Sequence, residues 1–69
     1  MDVGRKIKMF IETNGVKQSY ISRKIGISEA KLSLALNGKR RITFDEYEAL
    51  CWVLGVGVDA FLEPKAPSR

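Results

Sequence analysis

Residues 18–37, QSYISRKIGISEAKLSLALN, limit what this chain can fold into more than any other stretch. Ile21 and Ile25 stand four apart and share one face of a helix. Gly26 follows, where a chain leaves a helix through positive φ, a conformation that costs glycine nothing sterically. Ile27 turns inward. Ser28 is a strong N-cap for a second helix, because its side-chain oxygen can accept from a free N–H of the first turn. Leu32, Ala35 and Leu36 form the buried stripe of that helix, and Glu29, Ala30, Ser33, Leu34 and Asn37 lie opposite, with Lys31 on the flank. A short helix with small, mostly polar residues opposite its core stripe suits the major groove of DNA.

The flanking sequence supplies a body for this pair. Asp2 can cap a first helix running to about Thr13, on which Val3, Ile7, Phe10 and Ile11 fall on one apolar face. Arg5, Lys6 and Lys8 lie off that stripe and read as solvated charges. Asn14-Gly15 closes the helix and Val16 returns to the core. Tyr20, Arg23 and Lys24 point outward from the helix that follows. Thr43-Phe44-Asp45-Glu46 has the pattern of a capping box, with Ile42 and Tyr47 spaced as a hydrophobic staple. The helix it opens runs to about Leu54, buries Tyr47, Leu50, Cys51 and Leu54, and ends at Gly55. A last short helix over 58–62 packs Val58 and Phe61, from a weak start at Gly57. No alternating stretch argues for a strand. The expected fold is all-α with five helices, a single domain over 1–62 followed by a flexible, Pro-containing tail at 63–69.

A chain of 69 residues buries only about 60% of its unfolded surface, so stability is modest unless the chain dimerises. The formal charge of +4 favours an anionic partner. Cys51 is the single cysteine and there is no histidine, which excludes an intramolecular disulfide and a zinc finger and removes the usual general base. Cys51 reads as a buried, inert thiol rather than a nucleophile. No signal-peptide core and no membrane-length apolar run is present, so the default location is a reducing cytoplasm.

Gln18, Ser22, Gly26-Ile27-Ser28, Leu32, Asn37-Gly38-Lys39 and Leu54-Gly55-Val56, taken in order and at these spacings, resemble the phage-repressor and Cro-type helix-turn-helix family over roughly residues 5–62. The resemblance implies a compact, five-helix, lambda-repressor-like fold, a double-stranded DNA operator as partner, and no cofactor or metal. It implies a small transcriptional regulator of phage, prophage or bacterial origin, nucleoid-associated through its DNA. It also implies that Gln18 contacts the DNA backbone and helps orient the second helix. Two departures matter. Lys17 stands where the family holds a capping Ser, Thr or Asn. Ile11 and Leu36 stand where the family often has an Arg–Glu pair, and replacing both partners by hydrophobes fits the same packing solved differently.

On this reading Glu29, Ala30, Lys31, Ser33 and Leu34 face base edges. Lys31 can donate to guanine, Leu34 can touch a thymine methyl, and Ala30 and Ser33 permit close approach. Glu29 has two readings, an acceptor for cytosine N4 or a carboxylate favoured by the macrodipole at a helix's first turn. Lys17, Gln18, Ser28, Asn37, Lys39, Arg40 and Arg41 are the candidate phosphate contacts. The Lys39-Arg40-Arg41 run can alternatively be a solvated charge cluster. Trp52, Val56, Val58 and Leu62 are candidates for a weak homodimer contact. An antitoxin or restriction-system controller of the same fold remains open. So does a protein-interaction module without a DNA site, which Leu34 and Trp52 would favour. The absence of histidine, of a phosphate-binding Gly-rich loop and of an activated nucleophile argues against an enzyme.

Overall fold

The computed structural model describes residues 3–62 and contains four helices: α1 (Val3–Asn14), α2 (Gln18–Ile25), α3 (Glu29–Leu36) and α4 (Phe44–Leu54). No strand occurs among the described residues. The expected cap at Asp2 and the expected tail at 63–69 lie outside the described residues.

Local chemistry sets most of the boundaries. Ser28, extended at φ −70° and ψ 153°, accepts from the Lys31 N–H at 3.1 Å and starts α3. Thr43 opens α4 with both arms of a capping box: its hydroxyl accepts from the Glu46 N–H, and its own N–H donates to the Glu46 carboxylate, each at 3.1 Å. Between α2 and α3, Gly26 takes φ +78°, and the N–H groups of Gly26 and Ile27 both donate to the Ser22 carbonyl, at 2.9 and 3.2 Å. That reversal folds Ile27 back against the core.

The core is one cluster drawn from all four helices: Ile7 and Ile11, Ile21, Leu32 and Leu36, and Tyr47, Leu50 and Cys51, joined by Phe61. Burying each such aliphatic side chain contributes about 1.5–3 kcal/mol relative to leaving it exposed. Ile11 and Leu36 are both fully buried here, as two hydrophobes in place of an ion pair require.

The expected fifth helix is absent. Residues 57–62 form successive tight turns, with Ala60 N–H donating to the Gly57 carbonyl at 3.0 Å and Leu62 N–H to Asp59 at 3.3 Å. Gly57 has no side chain to cap a helix, and so few residues cannot offset the cost of nucleation. Tertiary contacts hold the segment instead. Phe61 is buried edge-on to Phe10, with ring centroids 5.5 Å apart at 84°, and the Tyr47 hydroxyl donates to the Val58 carbonyl. Val58 was expected to pack inward, yet its side chain is 46% exposed; its backbone is the anchored part.

Gly4 is buried within α1 against the last turn of α3. A Cβ placed there would lie 2.1 Å from the Ala35 carbonyl oxygen, so only glycine permits this approach without a backbone shift. Helix propensity favours alanine over glycine by at most about 1 kcal/mol. Overpacking against a backbone atom costs about 1–3 kcal/mol, and the clash should win. Gly4→Ala is therefore expected to lower the melting temperature by several degrees, roughly 4–8 °C per kcal/mol for a domain this small. Met9→Ala, on the exposed face of α1, should stay near the parent. An unchanged melting temperature for Gly4→Ala would place α1 away from the α3 backbone.

Candidate nucleic-acid interface

α3 has a closed back and an open front. Leu32, Ala35 and Leu36 are buried. Glu29, Ala30 and Lys31 are exposed, Ser33 is half-buried, and Leu34 is 47% exposed. All five candidate base readers thus avoid the core.

The C-terminal end of α3 is tied to α1. The Asn37 amide donates to the Ser33 carbonyl at 2.8 Å and to the Ser33 hydroxyl oxygen at 3.4 Å. Its carbonyl oxygen accepts from the Lys8 ammonium at 2.7 Å, and Arg5 donates to the Asn37 backbone carbonyl at 3.4 Å. Both cations sit where the last carbonyls of α3 carry partial negative charge. Arg5 and Lys8 are expected to be solvated; Arg5 is exposed and Lys8 half-buried, and both also fasten the end of α3 to the body of the domain. The Asn37 side chain, a candidate phosphate contact, is engaged at both ends by these bonds.

Beyond Asn37 the chain reverses through Gly38 at φ +74°, with Gly38 N–H donating to Ala35 at 3.2 Å and Lys39 N–H to Leu34 at 2.8 Å. From there the side chains alternate, Lys39 and Arg41 exposed, Arg40 and Ile42 turned in. The expectation of three equivalent phosphate contacts therefore divides. The Arg40 guanidinium donates from Nε to the Lys31 carbonyl at 3.4 Å and from Nη1 to the Arg41 carbonyl at 3.1 Å. It also forks onto the Glu46 carboxylate at 3.2 and 3.3 Å. The Thr43 backbone N–H, followed by Arg40, holds the Glu46 carboxyl below its ordinary pKa, against the opposing effect of partial burial.

At the start of α2, Lys17 is exposed and supplies no side-chain cap, as its chemistry requires, and Gln18 is half-buried in the first turn. Ser28 is exposed, its oxygen capping α3 while its hydroxyl hydrogen can still be donated. Ser22 is buried and donates to the Ser19 carbonyl at 3.1 Å, which explains a small residue there. Lys24 lies over the Tyr20 ring at 5.8 Å, giving two outward residues a local partner. In the C-terminal third, Trp52 is 75% exposed, Val58 and Leu62 are about half exposed, and Val56 packs against the core edge. Phe44 is 65% exposed and had not been singled out. Sequence reasoning also missed Gly4, although an isolated glycine inside a helical pattern is the recognisable signal of a close approach.

Two short helices joined through Gly26 and Ser28, the second with a buried back and an open polar front, define a helix-turn-helix DNA-binding domain. Residues 6–67 match the family of Cro/C1-type HTH DNA-binding domains, and the chain belongs to that family. Double-stranded DNA is accordingly the class of partner, and transcription regulation the process to which the fold is tied. No curated protein and no solved structure matches the chain. Among the described residues no helix is long and apolar enough to cross a membrane, and no cluster of three or more potential metal ligands occurs.

Because the folded Glu46 pKa lies below its unfolded value, its contribution is fully present above the ordinary glutamate range. It is lost as pH falls through the lower, folded value. Glu46→Gln should therefore be less stable than the parent at neutral pH, with the gap narrowing on acidification below the usual carboxylate range. Melting curves from neutral to strongly acidic pH test this, and a gap that stays constant would detach Glu46 from the acid response.

Proposed function

We propose that this domain is a sequence-specific reader of double-stranded DNA and acts as a small transcriptional regulator of the phage-repressor type, of phage, prophage or bacterial origin. The observation that carries the reading is the exposed front of α3, on a helix whose back is fixed. Glu29, Ala30, Lys31, Ser33 and Leu34 face the base edges. Lys17, Gln18, Ser28, Lys39 and Arg41 set the register on the phosphates, and Asn37 contributes by holding Lys8 and Ser33 in place. The site is one of binding rather than catalysis, and a cytoplasmic, nucleoid-associated location follows from its partner.

Affinity argues for two copies. Lys17, Lys39 and Arg41 as phosphate contacts give a salt slope of only about −2.7 for one domain, at roughly −0.9 per neutralised phosphate. Pairing on two-fold related half-sites doubles that. Trp52, with Val58 and Leu62 exposed in the same C-terminal third and Val56 at the core edge, supplies apolar surface for a weak symmetric contact. Sedimentation should show a concentration-dependent dimer that Trp52→Ala weakens. A monomer at all concentrations, with one protein per operator, would remove the dimer.

An antitoxin or restriction-system controller would use the same reading face. A protein-interaction module is the second reading, favoured by the exposure of Leu34 and Trp52. Selection of bound sequences from a random duplex pool separates the two classes. Lys31→Ala and Leu34→Ala should each change the preferred base at one position of a half-site, by about 1–3 kcal/mol for a good contact, with the melting temperature nearly unchanged. Uniform weakening without any change of preference would move the interaction module ahead.

A further inference from the structure

We infer that Arg40 is a positioning residue of the reading face and not a phosphate ligand: its guanidinium ties Lys31 of α3, the backbone of the basic loop and the capping glutamate of α4 into one unit. The inference rests on the proposed DNA reading and adds a specificity determinant to it.

The geometry separates Arg40 from its neighbours. A guanidinium has five N–H donors in a fixed planar fork. Nε serves the Lys31 carbonyl, Nη1 serves the Arg41 carbonyl and Glu46 Oε1, and Nη2 serves Glu46 Oε2. Four directed contacts leave little for a phosphate, and a phosphate would first have to displace a carboxylate already held in bidentate geometry. The pair is also sheltered, with side-chain exposures of 26% for Arg40 and 21% for Glu46. Lys39 and Arg41 are exposed on either side.

The three partners give those contacts a consequence. Lys31 is a proposed base reader, Arg41 a proposed phosphate contact, and Glu46 closes the capping box of α4. α3 is only eight residues long, so a small rotation about its axis moves every front side chain relative to the bases. Arg5 and Lys8 restrain its C-terminal end through Asn37. Arg40 restrains its first turn from the C-terminal side of the sequence, through the backbone of a proposed base reader. Displacing Arg40 should therefore degrade discrimination between sequences, whereas losing a phosphate ligand weakens all sequences alike.

Two charge-conserving variants make the distinction. Arg40→Lys keeps the cation but loses the fork, and a lysine serves a phosphate as a point charge. Arg40→Ala combined with Glu46→Gln removes the pair without altering net charge. Each is compared with the parent, Lys39→Ala and Arg41→Ala on two duplexes, one selected by the parent from a random pool and one scrambled version of it. Binding is measured across a salt series at a temperature where circular dichroism shows every variant folded. Both Arg40 variants are expected to lose about tenfold in the selected-to-scrambled affinity ratio, the scale of coupling within one hydrogen-bonded network, and to keep the parent's salt slope. Lys39→Ala and Arg41→Ala should keep the ratio and each lower the slope by about 0.9. The assignment is overturned if Arg40→Lys behaves as the parent on both duplexes. It is equally overturned if the paired variant lowers the slope, or if only the melting temperature moves. A parent that binds DNA but prefers no sequence removes the proposed reading itself, which the variants' behaviour cannot do.

Discussion

The reading helix depends on what lies behind it. Eight residues make a helix about 12 Å long, well below the length at which an isolated helix holds together in water. Its stability must come from packing, and part of that packing is a close backbone approach, α1 at Gly4 against the Ala35 carbonyl. A side chain at that point would lift α1 from the last turn of α3. Leu36 and the Asn37 ties would be disturbed with it. Because the back of α3 is fixed this firmly, the exposed side chains of Glu29, Ala30, Lys31 and Leu34 carry no packing duty and can be chosen for what they touch, while Ser33 also holds Asn37.

What was legible in the sequence follows from range. Gly26, Ser28, Thr43 and Glu46 act within a few residues of themselves, and their effects could be read from spacing alone. The apolar stripes of α1, α3 and α4 were legible because a helix repeats its faces. The ties from Arg5 and Lys8 to Asn37 span 32 and 29 residues, and nothing in the composition of α1 announces a partner that distant. The C-terminal turns were mistaken for a helix because Val58 and Phe61 have helical spacing. The weak start at Gly57 was legible, but no periodicity reveals that Tyr47 holds Val58 by its backbone. In the basic triplet, three adjacent charges looked equivalent until an irregular backbone turned one inward and two outward.

That division changes the meaning of the charge. Arg5, Lys8 and Arg40 have intramolecular partners, while Lys17, Lys31, Lys39 and Arg41 are exposed. The formal charge of +4 counts them all alike, yet Arg40 is paired with a carboxylate. Arg5 and Lys8, bonded to neutral groups of Asn37, keep their charge in the field that a phosphate backbone meets. On the proposed reading, attraction and alignment then fall largely to different residues of the same type. One group can then change without the other, and that reading makes affinity and discrimination separable.

The same separation explains where this chain keeps its charged pair. Family members often bury an arginine and a glutamate at the positions of Ile11 and Leu36, and here both are apolar and fully buried. A buried pair carries a desolvation cost that two hydrophobes avoid, and such an exchange is often neutral or stabilising. What a pair adds is directed contact, since a hydrogen bond joins one named donor to one acceptor, whereas apolar burial fixes only which face of α3 turns inward. Arg40 and Glu46 make contacts of this kind at the rim, to each other and to the Lys31 carbonyl, where partial solvation keeps the desolvation cost low. The buried stripe of Leu32, Ala35 and Leu36 therefore sets which way α3 faces, and the charged contacts at its edge tie that orientation to α1 and α4.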